Sequence, residues 1–237
     1  MTAALTEAMT GQPPERVRAI FDAIAPVYDE LNDAMSFGLH RVWKKMAVAM
    51  SGATPGMAAL DLCCGSGDLA LLLARRLGPA GRVWGVDFAP GALAVARRRD
   101  PRRRVRWLVA DALALPFAAH TFDVVVQGFG LRNVADIPTC LAEIRRVLKP
   151  GGRAVLLDLH RPADAFWRGF QEWYLKERVA GLGRAHGLEA EYAYIAPSLE
   201  RFPVGAEQER LAHAAGFSCA RHTPLVGGAV GVLVARG

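Results

Sequence analysis

The chain has 237 residues, of which 52% are hydrophobic and 22% charged, and it carries a net charge of +6. That length and balance are ordinary for one globular α/β domain with a substantial core. No run of about twenty apolar residues occurs, and Glu7, Gln12, Glu15 and Arg16 interrupt the start of the chain, so neither a membrane span nor a signal peptide is expected.

In chain order, residues 1–13 are short and polar. Val17, Ile20, Phe21 and Ile24 then fall on one face of a short helix that Pro26 interrupts. Asn32 to Lys45 holds Met35, Phe37, Leu39 and Trp43, and Val42, Met46 and Ala49 continue with helical spacing up to Gly52. This reads as a second amphipathic helix, with Trp43 in the core and His40 as an ordering hydrogen-bond partner.

Ala58 to Asp68, Ala-Ala-Leu-Asp-Leu-Cys-Cys-Gly-Ser-Gly-Asp, is the stretch around which the rest is arranged. Its apolar run suits a parallel strand covered on both faces, and Leu69, Leu72, Leu73 and Leu77 recur with helical spacing until Gly78. Gly65 and Gly67 let a ligand approach the backbone, and the N–H groups opening the helix can receive polar or anionic atoms. Such a turn also occurs simply to pack a helix on a strand. Asp87, ending Val83-Trp84-Gly85-Val86-Asp87, lies about twenty residues further on, where an acid can accept hydrogen bonds from ribose hydroxyls or cap the next helix. There is no third glycine for a pyrophosphate, which favours a nucleoside ligand over a dinucleotide.

Strands are expected near 58–63, 82–87, 105–110, 122–128 and 153–158, and helices near 68–77, 90–99 and 137–148. That alternation is a doubly wound sheet, whose ligands bind beyond the carboxyl ends of the strands. Asp61, Asp87, Asp111, Arg132 and Asp158 all fall there. Residues 159–204 form an aromatic-rich insertion including Phe166, Trp167, Phe170, Trp173, Tyr174, Tyr192, Tyr194 and Phe202. Core packing is the default for such residues, but the surplus length suggests a cap over an apolar substrate cavity. A helix from Gly205 to Ala215 and strands near 218–224 and 229–235, meeting at Gly227-Gly228, close the chain as an antiparallel hairpin.

Cys63, Cys64, Cys140 and Cys219 form no Cys-x-x-Cys pair, and no histidines have zinc spacing, so no metal site is expected and a reducing, cytoplasmic setting follows. Arg97 to Arg106 contains seven arginines. A solvated helix end is the plain reading of this cluster. An anionic lipid surface is the better alternative, because no aromatics alternate with the arginines as nucleic acid would require.

Asp-Leu-Cys-Cys-Gly-Ser-Gly-Asp, Asp87, Asp111-Ala112 and Leu115-Pro116-Phe117 resemble the motifs of S-adenosylmethionine-dependent methyltransferases. Phe21 to Asn32, Ser36 to Lys45, Gly128-Phe129-Gly130-Leu131-Arg132-Asn133-Val134 and Arg146 to Gly152 resemble, more narrowly, the quinone C-methyltransferases of ubiquinone and menaquinone biosynthesis. The resemblance spans roughly residues 16 to 236. It implies a seven-stranded, mostly parallel sheet with N-terminal helices over residues 1–52, a cofactor core over 53–158, a substrate cap over 159–204 and a closing unit over 205–237.

It further implies that Gly65, Ser66, Gly67, Asp87, Asp111, Ala112 and Gly128 bind S-adenosylmethionine, with Asp111 and the Ala112 N–H on the adenine. Arg132, Asn133 and Tyr28 would carry the chemistry on a prenylated quinol, with the two glycines of the Gly128 loop leaving open space for the methyl group. Glu191 to Ile195 and Ser198 to Pro203 resemble members from oxygenic phototrophs that make phylloquinone, which implies a demethylphylloquinol or demethylmenaquinol substrate. A benzoquinol substrate and a non-catalytic scaffold are the alternatives. A tailed substrate also implies peripheral membrane contact, through the N-terminal helix and the arginine cluster, and the reading admits a homodimer.

Overall fold

The computed structural model describes residues 32, 33, 36–179, 181 and 195–237. Seven strands form one sheet in the order β3-β2-β1-β4-β5-β7-β6. β1 (Ala58–Leu62), β2 (Arg82–Asp87), β3 (Val105–Val109), β4 (Phe122–Gly128) and β5 (Leu148–Leu159) run parallel. β6 (Cys219–Leu225) and β7 (Val230–Arg236) form the hairpin, and β7 lies antiparallel to β5.

All five residues of β1 are buried, as expected of a strand covered on both faces. Because side chains alternate across a strand, Leu60, Leu62 and Val125 pack with α4 (Ile137–Val147), whereas Ala59, Val124 and Val126 pack with α1 (Leu39–Met50) and α2 (Asp68–Leu77). α3 (Pro90–Arg99) follows β2. α5 (Ala165–Tyr174), α6 (Ile195–Arg201) and α7 (Gly205–Ala214) follow β5. Asp136 caps α4 by accepting from the Thr139 N–H at 3.0 Å. Among the described residues no helix is long and apolar enough to cross a membrane.

Three expectations need correction. β5 begins at Leu148 rather than near 153, because Leu148 pairs with Phe122 before a register shift brings Arg153 opposite Val124. α1 begins only at Leu39, after Gly38 turns the chain through φ 73°, and it buries His40, Lys44, Ala47 and Val48 while Val42 is exposed. The polar Lys44 is buried because Asp68 receives it, and of the spaced apolar residues Met46 packs on the core while Val42 and Ala49 are exposed. Finally, α5 has no buried residue. Phe166, Trp167, Phe170 and Trp173 are exposed, not core, although Phe202 is buried.

Candidate active site

The strand order reverses between β1 and β4, and a doubly wound sheet opens its binding crevice at that point. Both strands end in a non-glycine residue with left-handed backbone, Cys63 at φ 53° after β1 and Phe129 at φ 62° after β4. Such conformations are costly and gather where the surrounding structure imposes them. Gly65 also has positive φ, and a Cβ there would meet nothing within 4 Å. The turn is therefore open on that side. Gly67 differs, since a Cβ there would lie 2.5 Å from the Trp107 ring. It permits close packing of α2 on the sheet.

Asp87 ties the two turns of this corner together. Its carboxylate accepts from the Gly65 N–H at 2.8 Å and the Ala89 N–H at 2.9 Å, and it is buried. Asp61 accepts from the Ala70 N–H at 2.7 Å, inside the first turn of α2, while its Oδ1 has no partner among the described residues. Burial pushes the Asp61 carboxyl well above the ordinary carboxylate range. Ser66 does not face the crevice, because its Oγ and carbonyl both accept from Arg99 Nη1, at 2.8 and 3.0 Å. Asp111 is exposed, with Oδ1 accepting from the Leu113 N–H at 2.9 Å, and Ala112 beside it is buried.

Sequence reasoning passed over the pair that closes this side. Lys44 Nζ donates to Asp68 Oδ2 at 2.6 Å, and Arg99 Nη2 donates to Asp68 Oδ1 at 2.6 Å. Burial alone would raise the Asp68 carboxyl, but the two cations outweigh it and hold it at about 2. Lys44 also sits 5.9 Å from the centroid of the Phe129 ring, linking the two strand ends. The only hint in the sequence was a lysine on the face of α1 that turned out to be buried.

On the β4 side, the two glycines do not leave open space. A Cβ on Gly128 would lie 2.9 Å from Leu69 Cδ1, and one on Gly130 would lie 2.6 Å from Cys63 Cβ. Neighbouring side chains fill both positions. The loop's carbonyl at Phe129 accepts from Arg132 Nη1 at 2.9 Å and from Asn133 Nδ2 at 3.2 Å. Asp158, at the carboxyl end of β5, accepts from Arg132 Nη1 at 2.9 Å and from the Arg132 N–H at 3.1 Å. Burial raises the Asp158 carboxyl against the opposing pull of Arg132.

Three polar atoms in this corner are buried without a partner among the described residues: Arg132 Nε, Asn133 Oδ1 and Gln127 Oε1. Unpaired buried groups are costly, so each is a place where a ligand group or water fits. Gln127 Nε2 donates to Cys63 Sγ at 3.1 Å, joining β4 to the glycine turn. Burial pushes the Cys64 thiol well up and the Cys140 thiol up to about 12, which keeps both protonated at neutral pH. Tyr28, Tyr192 and Tyr194 lie outside the described residues, as does the first amphipathic helix.

Beyond β5, His160 and His222 meet with their Nε2 atoms 3.2 Å apart, and the His160 ring lies 5.0 Å from that of Phe202. Burial, with the neighbouring His222 and Arg132, lowers His160 to about 3. Nothing in the spacing of these histidines announced the pair. The arginine cluster is less free than expected. Arg97 donates to the Trp107 carbonyl and Arg104 to the Ala74 carbonyl, Arg99 is held as above, and Arg106 lies 5.1 Å from the Trp84 ring.

A nucleoside carrying a methionine fits this crevice. Gly65 leaves room against the backbone, Asp87 presents a buried carboxylate beside it, and Asp61 Oδ1 lacks a partner among the described residues. Comparison with known proteins agrees. The chain matches the ubiE/COQ5 methyltransferase family over residues 9–236. It is 53% identical over 222 residues to the 2-phytyl-1,4-naphtoquinone methyltransferase of Trichormus variabilis, covering 92% of this chain and 97% of that one. The chloroplastic 2-phytyl-1,4-beta-naphthoquinone methyltransferase of Arabidopsis thaliana is 44% identical over 224 residues, covering 92% and 86%. Among solved structures, a SAM dependent methyltransferase from Aquifex aeolicus shares the fold, with a TM-score of 0.63 at 17% identity over 95% of this chain and 98% of that one. With nearly its whole length matched, the chain belongs to the ubiE/COQ5 methyltransferase family and takes its methyl group from S-adenosylmethionine.

Proposed function

We propose that this enzyme methylates a ring carbon of a prenylated naphthoquinol, a demethylphylloquinol or demethylmenaquinol. The observation that carries the reading is the Arg132 corner, where Arg132 Nε and Asn133 Oδ1 are buried without partners among the described residues beside the glycine turn. The naphthoquinone on which the similar enzymes of Trichormus variabilis and Arabidopsis thaliana are named as acting supports the choice of ring.

S-adenosylmethionine, when bound, supplies an electrophilic methyl group on its sulfonium. Gly65, Gly67, Asp87, Asp111 and Ala112 would hold it, with Asp87 accepting from the ribose hydroxyls and the Ala112 N–H turned to the adenine. Ser66 and Gly128 would act through the backbone and through packing, because the Ser66 hydroxyl is engaged by Arg99 and Leu69 crowds Gly128.

The substrate must lose a phenolic proton so that negative charge reaches the adjacent ring carbon, and a phenol with a pKa of about 10, like tyrosine, ionises too rarely unaided. Arg132 would stabilise the oxyanion through its Nε–H, a buried donor that neither Asp158 nor Phe129 uses. Asn133 would accept a hydrogen bond from the ring hydroxyl at Oδ1 while the phenolic proton passes to water, and Tyr28 would orient the ring. After methyl transfer the ring-carbon proton would leave to water as aromaticity is restored. Asp158 keeps the guanidinium in place. The oxidised quinone has no such proton, so the reduced ring is required. A tailed substrate supports peripheral contact of the enzyme with a membrane surface.

Mass-spectrometric detection of labelled methyl transfer by the purified protein tests the proposal, using short-chain naphthoquinol and benzoquinol analogues in reduced and oxidised forms. Turnover of the reduced naphthoquinol alone is expected. Preference for a methoxybenzoquinol would overturn the ring, and equal turnover of the oxidised form would overturn the mechanism.

A further inference from the structure

Aromatic side chains normally leave water because burying them is worth more than almost any other contact. α5 does the opposite. Phe166 is 73% exposed, Trp173 54% and Phe170 49%, in a helix with no buried residue. The rings form a chain of contacts. Trp167 lies 5.7 Å from Phe166 and 6.2 Å from Phe170, and Phe170 lies 5.9 Å from Trp173 and stacks on Tyr174 at 6.3 Å.

The patch continues on both sides. Phe37, 75% exposed, meets Tyr174 at 6.2 Å. At the other end Trp167 lies over the β6–β7 turn, where a Cβ on Gly227 would come 2.4 Å from its ring. Three segments far apart in sequence thus supply one contiguous apolar surface, much larger than the scattered exposed residues of an ordinary monomer.

We propose that this aromatic face is the membrane-docking surface of the enzyme and that it inserts into the headgroup region of an anionic bilayer. The proposal rests on the reading of the substrate as a long-tailed quinol, which resides in lipid. Three observations select lipid as the occupant. Tryptophan and tyrosine have an apolar body and a polar tip, which suits the boundary between headgroups and acyl chains. Over residues 161–178 the cations Arg161, Arg168, Lys176 and Arg178 outnumber Asp164, Glu172 and Glu177 by one, and since Arg161 meets Glu172 at 3.5 Å, the attraction to anionic headgroups falls to Lys176 and Arg178 beside the carboxyl end of α5.

Position is the third. α5 follows directly from the carboxyl end of β5, where Asp158 holds Arg132, so the patch borders the rim that receives the ring. Arg102 and Arg103 instead precede β3, at the amino-terminal edge of the sheet. Arg102 and Arg103 therefore lie away from the rim, Arg99 is taken up by Ser66 and Asp68, and the aromatic helix replaces the cluster as the docking element.

The test pairs vesicle flotation with turnover of a short-chain, water-soluble naphthoquinol. Wild-type protein is expected to float with phosphatidylglycerol-containing vesicles at low salt and to show a blue-shifted tryptophan emission. Phe170→Glu with Trp173→Glu should reduce vesicle binding at least tenfold while leaving turnover of the soluble quinol unchanged, since neither side chain is buried. Phe166→Glu provides a milder second variant. Wild-type protein that stays unbound, or variants that float as well as wild type, would overturn the proposal. So would loss of a homodimer in the variants with vesicle binding intact, which would make the patch an interface between copies. If the soluble quinol is not methylated by wild type, the substrate reading fails while flotation still decides the docking.

Discussion

The two corners of the crevice are built in opposite ways. Around Asp87 and Asp68 the polar groups are held by one another: backbone N–H groups cap Asp87, and two cations neutralise Asp68. Around Arg132 the hydrogen bonds stop short, leaving Arg132 Nε, Asn133 Oδ1 and Gln127 Oε1 buried without partners among the described residues. On the proposed reading, the first corner is preorganised to receive a ligand that is the same in every turnover. The second keeps unused donor and acceptor capacity for charge that develops only during reaction, which is where a fixed dipole accelerates chemistry.

That contrast predicts reciprocal effects. Arg132→Lys should keep S-adenosylmethionine binding but lower kcat by about 100-fold or more, because an ammonium cannot reproduce the planar fork shared by Asp158, Phe129 and the substrate. Asp87→Ala should weaken cofactor binding by about 100-fold, since charge-assisted hydrogen bonds contribute about 1.5–3 kcal/mol each. Calorimetry and single-turnover kinetics on both variants separate the effects. If Arg132→Lys lost binding instead, the two corners would not be distinct.

A second test uses pH. His160 is lowered to about 3 from an ordinary 6.5, so the folded state resists its protonation. Its contribution to stability is complete above 6.5, begins to fall as pH drops below that value and is gone below about 3, at a rate of about 1.4 kcal/mol per unit within that window. Urea unfolding at pH 7 and pH 4.5 should show a smaller acid loss in His160→Gln than in wild type. Equal losses would remove His160 from the cause. Asp68 acts in a lower window, because its lowered carboxyl stabilises the fold above its ordinary 3.8 and ceases to do so below about 2.

The smallest expected difference is between two glycines. Gly65→Ala puts a side chain into the open side of the turn and should weaken cofactor binding about tenfold, while the strain of a side chain at φ 53° separately costs roughly 1 kcal/mol of stability. Gly128→Ala presses on the flexible end of Leu69 and should cost about 1 kcal/mol of stability with binding unchanged. Thermal melting with and without the cofactor product measures both.

The strand and helix alternation was legible because buried parallel strands are continuous apolar runs and their helices repeat with period 3.6, and every strand except β5 fell within one residue of its expected place. The corner at Asp87 was legible for a related reason: its parts lie at fixed offsets from one turn. What failed were inferences from residue type to environment. Glycine at 128 meant a crowded neighbour rather than space, Lys44 lies in a buried ion pair that the sequence reading did not anticipate, and the aromatics of α5 are exposed, which neither core packing nor a cap over a cavity had implied. In each case the deciding partner, Leu69, Asp68 or nothing at all, is remote in sequence, and no local pattern encodes it. The pairing of Arg132 with Asp158 belongs to the same class, although both residues were placed on the right rim.

β7 is the last strand in chain order yet an interior strand of the sheet, lying between β5 and β6. During synthesis, β1 to β4 can pair and the corner at Asp87 can form while β5 still has a bare edge. Only when Val230–Arg236 emerge does Gly231 come opposite Asp158 and Val230 opposite Leu159. A nascent chain should therefore gain the ability to bind the methyl donor before its substrate side is secured, and a ribosome-stalled chain ending before β7 is expected to retain the first property without the second.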